Sequence, residues 1–416
     1  MTSRNRVPFA WQALAAAVSL AAGSTVHASG FAVPEISIAG LGLSNALVAN
    51  TREAGAVPYN PAVTAFLGKA SIGGGLMALH PKMEVSDTLF NSGSSFDSEG
   101  KSWLGTVMGH GHYAFGEDLS LALSVNTPFG LETRWPSEAF GAGFAAVGAP
   151  GKEPTQSKLE LIAASPSLTY KINENAAVSG GFDLYWSRKL AFNTADTNIT
   201  NNDTDSGTGF HLSGLARMGD WSFGASYFSA ASIDIDGSVE TGGMKIPAET
   251  TFDIPWRAQV GVYYQAMENL GLEFDITRTG WSSFDELEID HAELPVTLVT
   301  STNKWKDANA YRLGVTYGLS EATDLRFGYS YDQTPQEDKY FSARIPDADR
   351  HLFSIGFSHE VMDGWDVEGG YMYVKFNSRT IDQPPPTSSE PNGTMLYNGE
   401  YRSSVHLLGL GVSKTF

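Results

Sequence analysis

The sequence predicts an all-β fold: a transmembrane antiparallel β-barrel of about 14 strands, with an N-terminal hatch inside its lumen. Three observations predict it. Apolar and polar residues alternate along most of the chain after residue 69, tight and long connections alternate between these segments, and the stretch before them has no sustained period. Long alternation is typical of strands with one apolar and one polar face.

The first 28 residues have the composition of a cleavable signal peptide. Arg4 and Arg6 precede an apolar run at 10–22, which is followed by Val26-His27-Ala28. A positive start, a short apolar core and small residues before the cleavage point are typical of exported chains, and the run is too short to span a bilayer. We therefore expect cleavage before Ser29 and export to the bacterial outer membrane.

Composition excludes several classes of protein. Without residues 1–28 the chain has 25 basic and 46 acidic side chains, a net charge of −21. Nucleic-acid binding needs a basic face and is excluded. The absence of cysteine excludes a disulfide scaffold. No later segment has the roughly 20 consecutive apolar residues of a transmembrane helix. Two classes of protein remain, a large soluble β protein and a β-barrel of the outer membrane.

Fourteen strand cores alternate with connections of two kinds. Tight connections include Gly116-Glu117-Asp118, Asn173-Glu174-Asn175, Gly219-Asp220 and Met362-Asp363-Gly364, and long ones lie near 81–100, 131–157, 188–206, 234–249, 281–304, 336–349 and 379–399. The cores lie near 70–80, 101–116, 118–130, 157–171, 175–190, 207–218, 220–233, 250–265, 269–280, 305–319, 322–335, 350–361, 364–378 and 400–416. Short turns on one rim and long loops on the other are the pattern of an outer-membrane barrel rather than of a sandwich. Lipid offers no partner for a strand edge, so the sheet must close.

Residues 29–68 are the predicted hatch and residues 69–416 the predicted barrel. Within the hatch, Asn60, Pro61 and Ala62 either cap the chain where it joins the wall or form a plain turn. Phe416 ends the last alternating strand and is similar to the signal that the outer-membrane assembly machinery reads.

The third strand contains a proline at position 128. Because proline removes a ladder donor, Pro128 either kinks the strand and opens the wall or marks the junction with the outer loop.

Several motifs occur in an order that resembles the FadL/TodX family of outer-membrane hydrophobic-compound channels, best known for long-chain fatty acid transport. They are Ser29-Gly30-Phe31, Gly40-Leu41-Gly42, Asn60-Pro61-Ala62, Asn126-Thr127-Pro128-Phe129-Gly130-Leu131, Trp281-Ser282-Ser283-Phe284, Lys306-Asp307-Ala308, Tyr331-Asp332-Gln333-Thr334-Pro335 and Ile345-Pro346-Asp347-Ala348-Asp349-Arg350. The resemblance implies a 14-stranded barrel closed by a hatch. It also implies capture of ligand by outer loops, an inner apolar pocket that touches the hatch, and diffusive exit through a gap in the third strand.

Candidate site residues come partly from the resemblance, as for Phe31, the gate and Lys306, and partly from position and composition, as for Arg188, Phe140 and Phe144. Phe31 would line the inner pocket, and Asn126, Pro128, Phe129 and Gly130 would form the lateral gate. A carboxylate at the end of an apolar pocket needs a cation, for which Lys306, in the family's Lys-Asp-Ala setting, is the first candidate and Arg188, beside Lys189, the second. Phe140 and Phe144 lie in an apolar loop that either captures ligand, forms a lid or is buried among other loops.

Other polar residues have plainer interpretations. We expect Arg312 and Arg326 to pair with wall carboxylates. His110 and His112 have the spacing of a weak metal site without a third ligand, and Asp203, Asp205, Asp234 and Asp236 lack the full spacing of a calcium loop. No nucleophile, zinc-protease or phosphate-loop motif is present, so we expect no enzyme, cofactor or metal.

The function expected from the sequence is passive uptake of hydrophobic small molecules, fatty acids first, by a monomer that contacts its ligand and outer-membrane lipid. Transport of aromatic hydrocarbons, an outer-membrane lipid hydrolase and a general aqueous porin are the alternatives.

Overall fold

The computed structural model describes residues 30–100, 103–385 and 394–416, and the predicted signal peptide and Ser29 lie outside them. The strands are β1 Ala70–Thr88, β2 Asn91–Asp97, β3 Leu104–Phe115, β4 Leu119–Arg134, β5 Pro154–Asn173, β6 Ala176–Thr194, β7 Thr197–Asn201, β8 Asp205–Met218, β9 Trp221–Phe228, β10 Ala231–Thr241, β11 Met244–Ile254, β12 Arg257–Met267, β13 Leu270–Thr279, β14 Glu286–His291, β15 Thr297–Thr302, β16 Ala308–Ser320, β17 Thr323–Asp332, β18 Arg350–Met362, β19 Trp365–Phe376, β20 Arg379–Ile381 and β21 Gly399–Thr415. The helices are α1 Ile38–Gly42 and α2 Ser137–Ala146, and short 3-10 helices span Ala54–Ala56, Pro61–Ala65, Trp281–Ser283, Asp338–Tyr340 and Thr394–Tyr397. Within these ranges, none of the helices is long and apolar enough to cross a membrane.

The sheet is a closed antiparallel barrel of 14 strands, as the sequence predicts. The first strand closes on the last, in register from Ser71 opposite Thr415 to Ser86 opposite Glu400. In order around the wall the strands are β1, β3, β4, β5, β6, β8, β9, β12, β13, β16, β17, β18, β19 and β21. Closure gives the backbone groups of the wall strands partners within the sheet, as hydrocarbon requires.

Alternation sets the two faces of the wall. Leu119 and Leu121 of β4 are 43% and 47% exposed, whereas Ser120 and Ser124, which alternate with them, are buried. Apolar side chains therefore cover the outside of the barrel and polar ones line its inside, which is the arrangement that a lipid environment selects.

The short predicted turns all join wall strands at one rim, but several predicted loops are longer hairpins. The segments at 81–100, 234–249 and 281–304 contain the end of β1 with β2, the β10–β11 hairpin and the β14–β15 hairpin. Acidic residues face each other across the β10–β11 hairpin, as Asp236 and Glu249 do. Apolar and polar residues alternate in β10, where Ile233 and Ile235 are buried and Asp234 and Asp236 are exposed, so the strand continues past residue 233, where the predicted strand core ends.

Residues 30–68, the described part of the predicted hatch, run along the inside of the wall before β1; we call them the hatch. Leu41, Leu47 and Val63 are completely buried there. Ser37 caps α1, because its Oγ accepts from the N–H of Gly40 at 2.9 Å. The hatch comes so close to the wall that a Cβ on Gly224 would overlap the carbonyl oxygen of Val48. Glycine on the lumen side of strands thus makes room for the hatch.

Candidate functional site

The ladder between β3 and β4 stops part of the way up the wall. It runs from Phe115 opposite Leu119 to Gly109 opposite Val125, although β4 continues to Arg134. At the outer end, the N–H of Glu99 donates to the carbonyl of Arg134 at 2.7 Å. We call the stretch between these two points the seam.

The hatch pairs with β4 in the middle of the seam. The N–H of Val33 donates to the carbonyl of Pro128 and the N–H of Gly130 donates to the carbonyl of Phe31, both at 2.8 Å. Across the seam, the hydroxyl of Thr106 donates to Thr127 Oγ1 at 2.9 Å. Pro128 lies six residues before the end of β4, so it is inside the strand and not at its junction with the loop.

The other edge of β4 is irregular at the same place. Asn126 pairs with Ala163 and Phe129 with Leu161, and the register shifts between them. This bulge contains Thr127 and Pro128, and bulges are typical of sites where a strand bends or ends its pairing. The gate residues predicted from the sequence thus share one bulged segment that contacts the hatch.

Phe31 lies at the centre of an aromatic cluster, the inner cluster, and is 1% exposed. Its ring centroid is 4.6 Å from that of Trp281, 5.3 Å from those of Phe252 and Phe284, 5.8 Å from that of Trp305 and 6.0 Å from that of Phe129. The buried indole N–H groups of Trp281 and Trp305 have no hydrogen-bond partner in the described residues. The cluster is an apolar site, formed jointly by the hatch, the seam strand and two outer connections.

A buried carboxyl anchors the start of the hatch. Asp347 Oδ2 accepts from the N–H of Gly30 at 3.1 Å and from Thr334 Oγ1 at 2.6 Å. Asp347 is 1% exposed, and burial raises the pKa of its carboxyl because the charged form is poorly solvated there.

Wall carboxylates on β13 hold the middle of the hatch. Asp275 Oδ2 accepts from the N–H groups of Leu47 and Val48 at 2.9 and 3.0 Å, and Glu273 Oε1 accepts from the N–H of Ala49 at 2.7 Å. These three amides belong to no regular element, so the wall supplies the acceptors that a helix or strand would otherwise provide.

Two wall arginines were expected to pair with wall carboxylates. Both do so, and both also contact the hatch, since Arg312 Nη1 donates to the carbonyl of Ser44 at 3.3 Å. Arg312 Nη2 lies 3.4 Å from Asp332 on the neighbouring strand. Arg326 lies 2.7 Å from Glu53 of the hatch and 3.1 Å from Glu368 of the wall. Arg326 therefore bridges hatch and wall.

Asn60 both caps a hatch helix and ties it to the wall. Its Oδ1 accepts from the N–H of Ala62, while Nδ2 donates to the carbonyls of Val48 at 2.7 Å and Gly214 at 3.0 Å. The carbonyl of Pro61 accepts from Thr169 of β5 at 3.0 Å. The Asn-Pro-Ala sequence is thus more than a turn.

A cavity among the long connections, which we call the outer cavity, has a volume of about 520 Å³. Phe144 lines it, and Phe140 packs in the same cluster of outer side chains. Both belong to α2 and are buried, at 8% and 1% exposure. Both side chains are therefore buried among neighbouring loops, and their role in binding or covering a ligand stays a prediction.

The predicted cations lie apart from the inner cluster. Lys306 has a side chain that is 68% exposed and pairs with Glu337. Arg188 is exposed on β6, at a bulge where Glu160 pairs with Lys189 and Leu161 with Ser187. Neither side chain is buried at the end of an apolar pocket, because both belong to the outer ends of strands or to connections.

Of the remaining polar candidates, His112 and Asp234 have local partners, whereas the buried Nε2 of His110 has none among the described residues. His112 lies 2.8 Å from Ser71 Oγ through Nδ1 and 2.9 Å from the carbonyl of Gly68 through Nε2. Asp234 accepts from Thr251 at 2.9 Å. In the ranges that the structure describes, no three His, Asp or Glu side chains are grouped as metal ligands.

The sequence does not identify several residues of the inner cluster and of the outer cavity. Phe252 and Trp305 belong to the inner cluster, and Trp281 and Phe284 are recognisable in the sequence only as part of a family motif. A signal was available for Trp281, Phe284 and Trp305, which lie at or between the ends of the predicted strand cores 269–280 and 305–319. Arg344 of the outer cavity gave no such signal.

Comparison with known proteins gives one family. A model described as "Outer membrane protein transport protein (OMPP1/FadL/TodX)" matches residues 18–416. The 47 kDa outer membrane protein of Pasteurella multocida is 23% identical over 446 residues, covering 97% of both chains. The long-chain fatty acid transport protein of Salmonella typhi is 23% identical over 423 residues, covering 91% of this chain and 94% of its own.

Solved structures share the fold. A Pseudomonas aeruginosa FadL homologue superposes with a TM-score of 0.76 at 18% identity, covering 92% of this chain and 99% of its own. The Pseudomonas putida toluene transporter TodX gives 0.69 at 14% identity, covering 94% and 100%. Since the family model matches nearly the whole chain and the fold agrees, this chain is an outer-membrane protein that belongs to the OMPP1/FadL/TodX family of outer-membrane transport proteins.

Proposed function

We propose that this protein is a channel for the passive uptake of hydrophobic small molecules, and that its substrates leave the lumen sideways through the seam between β3 and β4. The observation that carries the proposal is the end of the β3–β4 ladder at Gly109 and Val125, beside an inner cluster of six aromatic side chains. An apolar site next to a break in the wall suits a ligand that is more soluble in lipid than in water.

The hatch supports a channel of this kind over an aqueous porin. Its middle is fixed to the wall by Asp275, Glu273 and Arg326, and its core residues are completely buried. A cavity of about 1210 Å³ lies between the hatch and the short-turn rim, but a continuous water column would also have to pass the level of the buried hatch residues. Long-chain fatty acids are the first substrate class we propose, since the Salmonella typhi relative is named for their transport. Aromatic hydrocarbons are the second, since aromatic rings form the inner cluster.

A reversible crosslink across the seam tests the lateral route. The chain has no cysteine, and Thr106 and Thr127 meet across the seam with their hydroxyl oxygens 2.9 Å apart. The double variant Thr106→Cys and Thr127→Cys should form one disulfide. We expect the oxidised protein to lose uptake of labelled oleate and toluene in whole cells, and a membrane-permeant reductant to restore it.

A matched pair in an intact part of the wall provides the control. Gln259 and Thr277 pair directly between β12 and β13 and hydrogen-bond at 3.0 Å. The disulfide of Gln259→Cys with Thr277→Cys should leave uptake unchanged. Normal uptake by the oxidised seam variant would contradict the lateral route, and failure of the unmodified protein to take up either compound would contradict the proposed function itself.

A further inference from the structure

The outer cavity has an unusual balance of charge. Its walls are apolar or carry hydroxyl groups, as at Phe192, Ile199, Leu298 and Tyr397. Two basic residues, Lys152 and Arg344, line it, and none of the described lining residues is acidic. The whole chain has 46 acidic and 27 basic side chains, so a cavity with only basic ones stands out against the rest of the molecule.

The two cations of this cavity are not equivalent. Lys152 Nζ lies 3.0 Å from Asp196, and both side chains are largely exposed. Arg344 is only 6% exposed, and in the described residues no carboxylate lies within ion-pair distance of it. Three other buried arginines, Arg312, Arg326 and Arg350, each pair with a carboxylate. One positive charge in the cavity is therefore uncompensated.

Neutral groups fix the position of the Arg344 side chain. Its Nη1 donates to Asn193 O at 3.0 Å and to Ser157 Oγ at 3.2 Å, and its guanidinium lies 3.6 Å above the ring of Phe192. Among the described residues, these bonds all come from Nη1, which leaves the Nε and Nη2 donors for another acceptor. Burial lowers the pKa of Arg344 to about 10 because water no longer solvates the charge well. The group is still charged at neutral pH, and a buried charge of this kind is costly without an anion.

We propose that Arg344 binds the carboxylate of a monoanionic ligand whose apolar chain lies in the outer cavity. The proposal rests on the proposed function and narrows it, because it assigns the outer cavity to apolar acids in preference to hydrocarbons. A carboxylate suits the planar fork of donors on a guanidinium. A single uncompensated charge suits a monoanion better than a phosphate, and a cavity of about 520 Å³ is within the usual size of small-molecule sites.

Equilibrium binding of two probes that differ only in charge tests the proposal. The full-length mature protein is placed in lipid nanodiscs, and binding of radiolabelled dodecanoate and of its methyl ester is measured at pH 8, with empty nanodiscs to correct for partition into lipid. We expect the unmodified protein to prefer dodecanoate. Arg344→Gln should weaken dodecanoate binding about tenfold or more, as loss of a charge-assisted hydrogen bond does, and leave ester binding unchanged.

Two further variants separate the lost charge from a collapsed cavity. Lys245→Gln removes a cation that lies outside the cavity lining and has a carboxylate partner, Glu240, at 3.5 Å, and it should change dodecanoate binding little. Arg344→Lys keeps the charge and should keep the preference for dodecanoate. Equal dodecanoate affinity of Arg344→Gln and the unmodified protein, or an equal loss of ester binding in Arg344→Gln, would overturn the proposal.

The same measurements distinguish a failure of the proposed channel function from a failure of the Arg344 assignment. If the unmodified protein binds neither probe and takes up no hydrophobic compound, the channel function is refuted and the assignment of Arg344 falls with it. If it binds and takes up both probes equally, the channel function stands and the assignment of Arg344 alone is overturned.

Discussion

The backbone N–H of Val33 donates to the carbonyl oxygen of Pro128 at 2.8 Å and thereby joins the hatch to the third strand of the barrel. In an antiparallel pair, the N and the C=O of one residue face the same neighbour. The nitrogen of Pro128 therefore also faces the hatch, but it has no hydrogen to donate. The hatch occupies the position that a wall strand occupies elsewhere, along an edge that lacks one donor.

We predict that Pro128→Val reduces uptake without impairing barrel assembly. Valine restores the missing N–H on the seam side, and one added hydrogen bond is worth about 1 kcal/mol. That amount shifts the balance between an open and a closed seam by about fivefold. Uptake of labelled oleate by whole cells should fall by a similar factor, while heat-modifiability on gels shows a folded barrel.

Pro166→Val is the matched control for this substitution. Pro166 also lies inside a wall strand, where it pairs with Leu123 in an uninterrupted part of the β4–β5 ladder. We expect its replacement to leave uptake unchanged. If Pro128→Val took up every hydrophobic probe normally, the absence of a backbone N–H at position 128 would have no role in transport.

The middle of the hatch should loosen when its wall acceptor is removed. Asp275→Ala leaves the buried N–H groups of Leu47 and Val48 without their acceptor, at a cost of about 1–3 kcal/mol each. We expect larger ion conductance in planar bilayers and greater sensitivity of cells to large antibiotics. Asp183→Ala is the control, because Asp183 is equally buried but, among the residues that the structure describes, bonds only to Ser165 and His211 of the wall. Equal conductance of the two variants would contradict a locking role for Asp275.

The barrel wall was predictable from the sequence because its signal is local. Leu119 to Val125 alternate in the chain itself, and tight turns such as Gly219-Asp220 need no distant partner. The burial of Phe140 and Phe144 was not predictable in the same way. The segment Ser137–Ala146 mixes alanine and glycine with only two large side chains, so it shows no helical stripe, and its partners come from other loops.

Site residues were predictable only where the chain itself marks them. Pro128 indicates a break in a strand because proline has no N–H to donate. Phe31 was assigned to the pocket by the resemblance to the FadL/TodX family. The positive charge at Arg344 depends on Ser157 and Asn193, which are more than 150 residues away in the chain. Lys306 illustrates the reverse case, since its local motif gives no information on the exposure of its side chain or on its pairing with Glu337.

Phe31→Ala should release the start of the hatch from the inner cluster. Truncation of a buried phenylalanine costs about 3–5 kcal/mol, and Phe31 contributes its ring to five other aromatic rings of the cluster. We expect faster hydrogen exchange at residues 31–35 and its partial reversal by benzene, because an aromatic-lined cavity binds small apolar molecules. Phe66→Ala, at the far end of the hatch beside Arg217, should leave exchange at residues 31–35 unchanged. Unchanged exchange in Phe31→Ala would show that the backbone bonds to β4 suffice to dock this segment.

Docking of the hatch should weaken as the pH rises, because the buried carboxyl of Glu35 then becomes charged. Glu35 is 4% exposed and accepts from Asn45 Nδ2 at 2.9 Å. Burial raises the pKa of its carboxyl, although the charges of Arg350 and Arg312 oppose the shift. A raised pKa means that the docked hatch prefers the uncharged form. The contribution of the Glu35 carboxyl to the free energy of hatch docking is therefore complete below the ordinary pKa of a glutamate. It is lost as the pH rises through the raised pKa.

Hydrogen exchange of hatch amides, corrected for the intrinsic effect of pH, measures this dependence. Protection at residues 35–45 should decrease as the pH rises through that range, and Glu35→Gln should flatten the curve and give greater protection than the unmodified protein at neutral pH. The control Glu117→Gln changes an exposed carboxyl in a short rim turn and should reproduce the unmodified curve. If Glu35→Gln also followed the unmodified curve, the pH dependence would belong to the other buried groups that contact the hatch, because the neutral amide keeps the size of the side chain and removes only its titration.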